Sequence, residues 1–134
     1  MRDHELAMLA YVKLADLSQQ KRQLLGRDKF LLLAAAAACS AGWPEVAQRC
    51  QRLVLENNPS HLIGKFATMA DALRDPEFQP FRTRLERFCT YEKAEHLLHE
   101  LQVAARLPTA GTETTAGESA LATLSGPDWT EAAS

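Results

Sequence analysis

Valine and isoleucine are scarce in this sequence, and their scarcity is the strongest signal of its fold class. Four valines and one isoleucine stand beside 22 alanines and 20 leucines in a chain of 134 residues. β-Branched side chains fill the pleated surface of a sheet, whereas alanine and leucine lose little entropy in a helix. The composition therefore predicts an all-α fold and argues against a domain built on sheets.

Cysteine is scarce as well. The three cysteines, Cys39, Cys50 and Cys89, form no CxxC pair, and an odd number cannot all be paired within one chain. This excludes a disulfide-dense miniprotein. It predicts reduced, partly buried thiols, which are typical of cytoplasmic proteins.

An excess of positive charge is also missing. Fifteen Lys and Arg residues against seventeen Asp and Glu residues give a formal net charge of −2. Most nucleic-acid-binding domains are strongly basic, so a nucleic acid is a disfavoured partner. All fifteen basic residues precede residue 107. The same segment holds thirteen acidic residues, so its net charge is +2, and the other four acidic residues lie in the last part of the chain, which has no basic residue.

The last part of the chain differs in composition from the rest. Residues 108–134 hold six of the nine threonines and three of the six glycines, with no Lys or Arg. Such a segment buries too little apolar surface to offset an ordering cost of ~1–2 kcal/mol per residue. We predict a helical domain over residues 1–107 and a disordered acidic tail, rich in Thr, Ala and Gly, over residues 108–134, with a transient turn of helix at residues 118–124 as its one local structure.

The longest apolar run has ten residues, from Phe30 to Cys39. It is shorter than the ~20 residues that a membrane-spanning helix needs. The run follows Lys29 and ends in a cysteine, and in this it resembles a bacterial lipoprotein signal; however, 29 residues precede it and Ala36 stands where leucine is usual. We interpret the run as a buried helix of a cytoplasmic protein, with a lipoprotein anchored at Cys39 as the alternative.

Apolar periodicity predicts a compact bundle of five to six helices. The first spans residues 3–25 and stops at Gly26; the second is capped by Asp28 and runs to Ala41. Because the second helix is apolar almost all round, we expect it to be central. The third runs over residues 44–57, and the candidate caps of later helices are Ser60, Thr68 and Thr90.

The second and third predicted helices form a hairpin with a known spacing of small and helix-ending residues: Ala35, Ala38, Gly42, Ala47, Val54 and Pro59. Over residues 28–61 it resembles a single tetratricopeptide repeat, in which small residues let two antiparallel helices approach closely. Gln51 departs from that pattern, since a large apolar residue is usual there, and Ala38 stands where tyrosine is common. The alternative is an ordinary antiparallel helix pair of a small bundle.

Catalytic and metal-binding motifs are missing too. The sequence has no glycine-rich phosphate loop, no GxSxG elbow and no HExxH motif. Four residues on one face of the last predicted helix have spacings that could present two ligands to a transition metal: Glu92, Glu95, His96 and His99. The repeated Glu-x-x-His pairs of di-iron bundles are absent. We therefore expect surface residues here, no cofactor, and a protein that is not an enzyme.

Two functions stay open. The first is a non-enzymatic protein-interaction or scaffold module that binds another protein or a second copy of itself. Its candidate residues are a basic cluster and the tail's one tryptophan: Lys21, Arg22, Arg27, Lys29 and Trp129. Trp129 would serve as a buried anchor, with Asp128 and Glu131 meeting the basic residues. The alternative is a small nucleic-acid-associated regulator that uses Arg49, Arg52, Arg82, Arg84 and Arg87.

Overall fold

A computed structural model describes residues 4–100 and 116–124, and within these ranges the chain is helical with no strand. The α-helices are α1 (His4–Gln20), α2 (Leu24–Ala41), α3 (Pro44–Asn57), α4 (Met69–Arg74), α5 (Gln79–Phe88), α6 (Tyr91–Glu100) and α7 (Ala116–Leu124). Two 3₁₀ turns, Leu62–Lys65 and Pro76–Phe78, flank α4. The predicted all-α fold is confirmed. No helix in the described ranges is long and apolar enough to cross a membrane.

Helix α2 lies at the centre of the core. It packs against α1, α3, α4 and α5, which cover it on several sides. Its leucines and alanines, including Leu31, Leu32 and Ala35, are fully buried. This agrees with an apolar surface that extends almost around the whole helix, and the prediction of a central second helix is confirmed.

The turn between α1 and α2 lies earlier than predicted. Helix α1 ends at Gln20, and Gly26 lies inside α2 instead of stopping the first helix. The amide of Arg22 donates to the carbonyl of Gln19 (3.1 Å), and the amide of Gln23 donates to that of Ser18 (2.9 Å). These two bonds form a Schellman motif, which satisfies the last carbonyls of α1 and ends the helix there.

The prediction that Asp28 caps the second helix is therefore wrong. It lies in the first part of α2 and is buried, with Arg27 beside it. The other predicted bounds of the hairpin are confirmed, since α2 ends at Ala41 and α3 covers residues 44–57. Gly42 closes α2 with a φ of 86°, a left-handed conformation that glycine adopts without steric cost.

Capping side chains start the shorter helices. Thr68 Oγ1 accepts from the amide of Asp71 (3.1 Å) at α4, and Thr90 Oγ1 accepts from that of Lys93 (3.2 Å) at α6, as predicted. Ser60 is not the cap of the Leu62–Lys65 turn. His61 has that role, because its Nδ1 accepts from the amide of Ile63 (3.0 Å).

Helix α7 lies within the predicted disordered tail, and the structure differs from the expected disorder in this segment. Its Ala120 and Leu124 are fully buried, and it packs against α1 and α3. Two apolar residues four positions apart lie on one face of a helix, so even this short segment can join the core. Residues 101–115 and 125–134 lie outside the described ranges.

The central position of α2 predicts a sharp contrast between two substitutions. Leu32→Asp should unfold the domain, because a buried unpaired charge costs several kcal/mol, a large part of the stability of a small domain. Ser40→Lys, on an exposed position in the last turn of the same helix, places a charge of the sign that a helix C-terminus favours and should not lower the thermal midpoint. Circular dichroism melts of both variants provide the measurement, and a folded Leu32→Asp variant with the wild-type midpoint would contradict the packing described.

Candidate functional site

The four basic residues of the predicted interaction cluster, around the turn between α1 and α2, differ in their exposure to solvent. Lys21, Arg22 and Lys29 are exposed, whereas Arg27 is 2% exposed and belongs to the core. Arg27 is therefore not a surface residue, which corrects its assignment as an interaction candidate. Leu25, which lies between Arg22 and Lys29 in the sequence, is itself 82% exposed. We call Lys21, Arg22, Leu25 and Lys29 the corner patch.

The local structure projects the corner patch from the end of one helix and the start of the next. Leu25 and Lys29 are four positions apart on α2, so both side chains lie on the same face of that helix. Lys29 Nζ lies 4.8 Å from the centroid of the Phe88 ring, a cation–π contact that fixes the lysine above α5. The patch thus combines one apolar side chain with three positive charges.

Arg22 occupies the most unusual backbone position of the patch. Its φ is 60°, the one positive value outside glycine among the described residues. The end of α2 shows the same motif: Trp43 and Gly42 donate their amides to the carbonyls of Ala38 (2.8 Å) and Cys39 (3.3 Å). There the left-handed residue is a glycine. An arginine in this conformation costs about 1–2 kcal/mol, since its Cβ crowds the following carbonyl.

Below the corner patch, Arg27 lies at the centre of a buried polar network. Its Nη2 and Nε donate to Asp28 Oδ1 at 2.7 and 3.1 Å, and its Nη1 donates to Gln19 Oε1 at 2.8 Å. A further bond runs from Nη2 to the backbone carbonyl of Leu53 at 3.2 Å. The guanidinium therefore connects α1, α2 and α3 through its planar array of donors.

Asp28 completes this network. Its second oxygen, Oδ2, accepts from Asn57 Nδ2 at 3.0 Å, near the end of α3. We call Gln19, Arg27, Asp28, Asn57 and the Leu53 carbonyl the Arg27 cluster. A buried carboxylate with several donors is stable only while those donors stay in place, so the cluster fixes the relative positions of the three helices.

His61 lies close enough to Asp28 to respond to its charge. Burial lowers the pKa of the His61 imidazole, and the negative charge of Asp28 opposes this by favouring the protonated form. The ring also packs edge-on against Phe81, with centroids 5.3 Å apart. Because Nδ1 accepts the amide of Ile63, the cap requires that nitrogen to be unprotonated, which agrees with the lowered pKa.

The spacing of apolar residues after Arg27 is a local sequence signal for its burial. Arg27, Leu31, Ala34 and Ala38 recur at spacings of four and three, which places the arginine on the apolar face of α2. A charged residue on such a face is buried only where partners exist. Its distant partners, Gln19 and the Leu53 carbonyl, lie 8 and 26 residues away along the chain, on α1 and α3.

The five arginines of the predicted nucleic-acid surface have different surroundings. Arg49 donates to the carbonyl of Leu124 on α7, and Arg82 pairs with Glu86 at 3.3 Å. Arg84 lies over the Phe81 ring at 5.6 Å. The two others, Arg52 and Arg87, are exposed. Three of the five are thus in contact with groups of the chain itself.

The metal-ligand candidates lie on α6. Glu92, Glu95 and His96 are exposed there, whereas the side chain of His99 lies outside the described part of the structure. Over the described residues, no three His, Cys, Asp or Glu side chains are grouped so that they could hold a metal ion. Trp129 also lies outside the described residues.

The three thiols are packed into or against the core. Burial raises the pKa of Cys50 to about 12 and also raises the pKa values of Cys39 and Cys89. All three cysteines are unpaired thiols. A thiol with a raised pKa is protonated at neutral pH and is a poor nucleophile, so these residues act as apolar packing groups.

A groove of about 350 Å³ opens beside α3 and is lined by Arg52, Leu55, Glu56 and Phe66, among others. Its base includes Gln51, whose Nε2 donates to the carbonyls of Ile63 (3.3 Å) and Phe66 (2.9 Å). This explains the glutamine at a position where the tetratricopeptide pattern has an apolar residue: it holds the turn that follows α3.

Comparisons of the chain with protein-family models, with curated proteins and with solved structures found no match. The α2–α3 hairpin buries Ala38, Ala47 and Val54, positions on which the resemblance to a tetratricopeptide repeat depends. The resemblance stays a prediction, based on residues 28–61 alone.

Burial of the Arg27 cluster predicts that two matched substitutions lower the free energy of unfolding by different amounts. Arg27–Asp28 and Arg74–Asp71 are both ion pairs with N–O distances of 2.7 Å, but the second is exposed. Arg27→Met should lower the free energy of unfolding by about 3–5 kcal/mol, because it leaves the Asp28 carboxylate buried without its cation. Arg74→Met should lower the free energy of unfolding by less than about 1 kcal/mol, because its ion pair is exposed.

Urea denaturation of the two variants measures the difference. The double variant Arg27→Met/Asp28→Leu serves as a further control: it removes both charges and should be more stable than Arg27→Met alone. Equal losses in the two single variants would show that the Arg27 cluster does not hold the three helices together.

Proposed function

We propose that this chain is a non-enzymatic protein-interaction module whose corner patch binds acidic segments that carry a large apolar anchor. The observation that carries the proposal is the arginine at the left-handed position of the α1–α2 turn. A glycine would be more stable there, as at Gly42. Arg22 supplies a positive charge beside exposed Leu25 at a cost in stability, and such costs are concentrated at functional positions.

The chemistry of the ligand follows from that of the patch. Three exposed cations near an exposed apolar residue in the sequence are complementary in charge to a segment whose carboxylates flank an apolar side chain. The chain itself contains such a segment, because residues 125–134 place Trp129 between Asp128 and Glu131 with no basic residue. Tryptophan is one of the residues enriched among the buried anchors of protein interfaces. The ligand is therefore an acidic segment of this type, in another protein or in a second copy of the chain.

The Arg27 cluster contributes by keeping the patch rigid. Arg27 lies between Leu25 and Lys29 along the chain, and its guanidinium is bonded to groups of α1 and α3. The start of α2 is thus held while its outer face presents the patch. A surface that is ordered before binding loses less conformational entropy when the ligand arrives.

Titration with a peptide of residues 125–134 tests the proposal. The receptor is the full chain with Trp129→Ala, so that its own segment does not compete, and fluorescence anisotropy of the labelled peptide reports binding. Arg22→Gly in this receptor should weaken binding at least fivefold and weaken its dependence on salt, because one charge contact is lost. The same substitution should raise the free energy of unfolding by roughly 0.5–1 kcal/mol, because the backbone strain that it relieves exceeds the extra conformational entropy that glycine loses on folding.

Arg87→Gln is the matched control, since it removes one positive charge from an exposed position on α5. It should leave peptide binding within twofold of the starting receptor. Equal weakening by Arg22→Gly and Arg87→Gln would show that only net charge matters, and the corner patch would not be the site. Absence of peptide binding at millimolar concentration would also contradict the proposal.

A further inference from the structure

Helix α7 covers a surface made by α1 and α3, and it is joined to α6 by residues 101–115. We call the covered faces of α1 and α3, together with Arg49, the docking surface. In α7 the residues that meet it are Ala120 and Leu124, both fully buried, and partly buried Leu121. Glu118 and Ala122 are on the exposed side. The helix is therefore amphipathic, with a small residue and a leucine four positions apart on its inner face.

The helical form of α7 depends on this contact. An isolated helix of nine residues is unstable in water, because nucleation costs more than so few hydrogen bonds return. Packing against α1 and α3 must therefore supply the free energy that stabilises the helix, and α7 buries only a small apolar area there. Helix α7 is thus a short segment that folds as it docks.

Arg49 recognises the backbone of the docked helix. Its Nε and Nη2 donate to the carbonyl oxygen of Leu124 at 3.2 and 3.1 Å. The last carbonyls of a helix have no donor within the helix and carry the negative end of its dipole. A guanidinium with two donors therefore binds the C-terminal end of a helix through its backbone, whatever side chains the helix carries.

We propose that the docking surface is a binding site for a short amphipathic helix of a partner protein, and that α7 occupies this site within the chain as a displaceable plug. The occupant has the chemistry that α7 shows: a small residue and a leucine four positions apart on one face, and a C-terminal turn placed on Arg49. Ala120 and Leu124 are apolar, so these two contacts select by shape, and Arg49 recognises the backbone. It is thus a different site from the corner patch, which binds acidic segments.

Displacement is feasible because α7 is short, although its tether favours docking. The tethered helix competes with an effective concentration in the millimolar range, so a partner helix displaces it when the partner's concentration divided by its dissociation constant exceeds the same ratio for tethered α7. The partner's binding is then coupled to release of α7, and its apparent affinity is reduced by the population of the docked state.

The test uses a labelled peptide of residues 112–126 as the probe and the full chain as the receptor. Leu124→Asp in the receptor undocks its own α7, so this variant should bind the probe at least tenfold more tightly than the wild-type chain. A probe that carries Leu124→Asp should not bind. Arg49→Gln added to the Leu124→Asp receptor should weaken binding at least fivefold, whereas Arg52→Gln, an exposed arginine on the same helix, should not.

Equal binding of the probe to the wild-type and Leu124→Asp receptors, or none to either, would overturn the proposal. Hydrogen exchange of the wild-type chain tests it without any substitution: amides of α7 should exchange at least a hundredfold faster than those of α2. Exchange of both helices at one rate would show that α7 opens only with the whole domain, and it would not be a plug. A wild-type dimer that Leu124→Asp abolishes would assign the docking surface to a second copy instead of a partner helix.

Discussion

The ion pair between Arg27 and Asp28 is the interaction on which the arrangement of the first three helices depends. Burial of two opposite charges is favourable only where further polar groups complete their hydrogen bonds. Here Gln19 of α1 and Asn57 of α3 supply such bonds, together with the Leu53 carbonyl. Removal of any partner leaves a polar group without water and without a bond, so these helices are held in one arrangement rather than in several of similar energy.

This constraint explains why the α1–α2 turn lies where it does. Arg27 must face Gln19 across the turn, so α1 has to end at Gln20 and α2 has to begin before the arginine. The turn then places Arg22 in a left-handed conformation that suits glycine better. The burial of Arg27 and the strained backbone of exposed Arg22 thus both follow from the position of this turn. Arg22 belongs to the surface for which we propose a function.

Local signals made most of the fold predictable from the sequence. The alanine- and leucine-rich composition gave the fold class, and Gly42, Thr68 and Thr90 marked helix ends that the structure confirms. The hydrogen-bond partners of Arg27 and the docking of α7 were not predictable in this way, because both depend on groups distant in sequence. Arg49 and Leu124, for example, are separated by 75 positions, and no local pattern of the tail indicates that its helix has a partner.

The Arg27 guanidinium is bonded to groups of three helices, and nitrogen-detected NMR of arginine side chains tests directly whether it is locked in place. We predict separate, slowly exchanging Nη resonances for Arg27 at 25 °C, since its Nη1 and Nη2 donate to different groups. Exposed Arg22 should give one averaged, rapidly exchanging signal in the same spectrum. An averaged signal for Arg27 that matches that of Arg22 would contradict the account, because the guanidinium would then rotate freely in water.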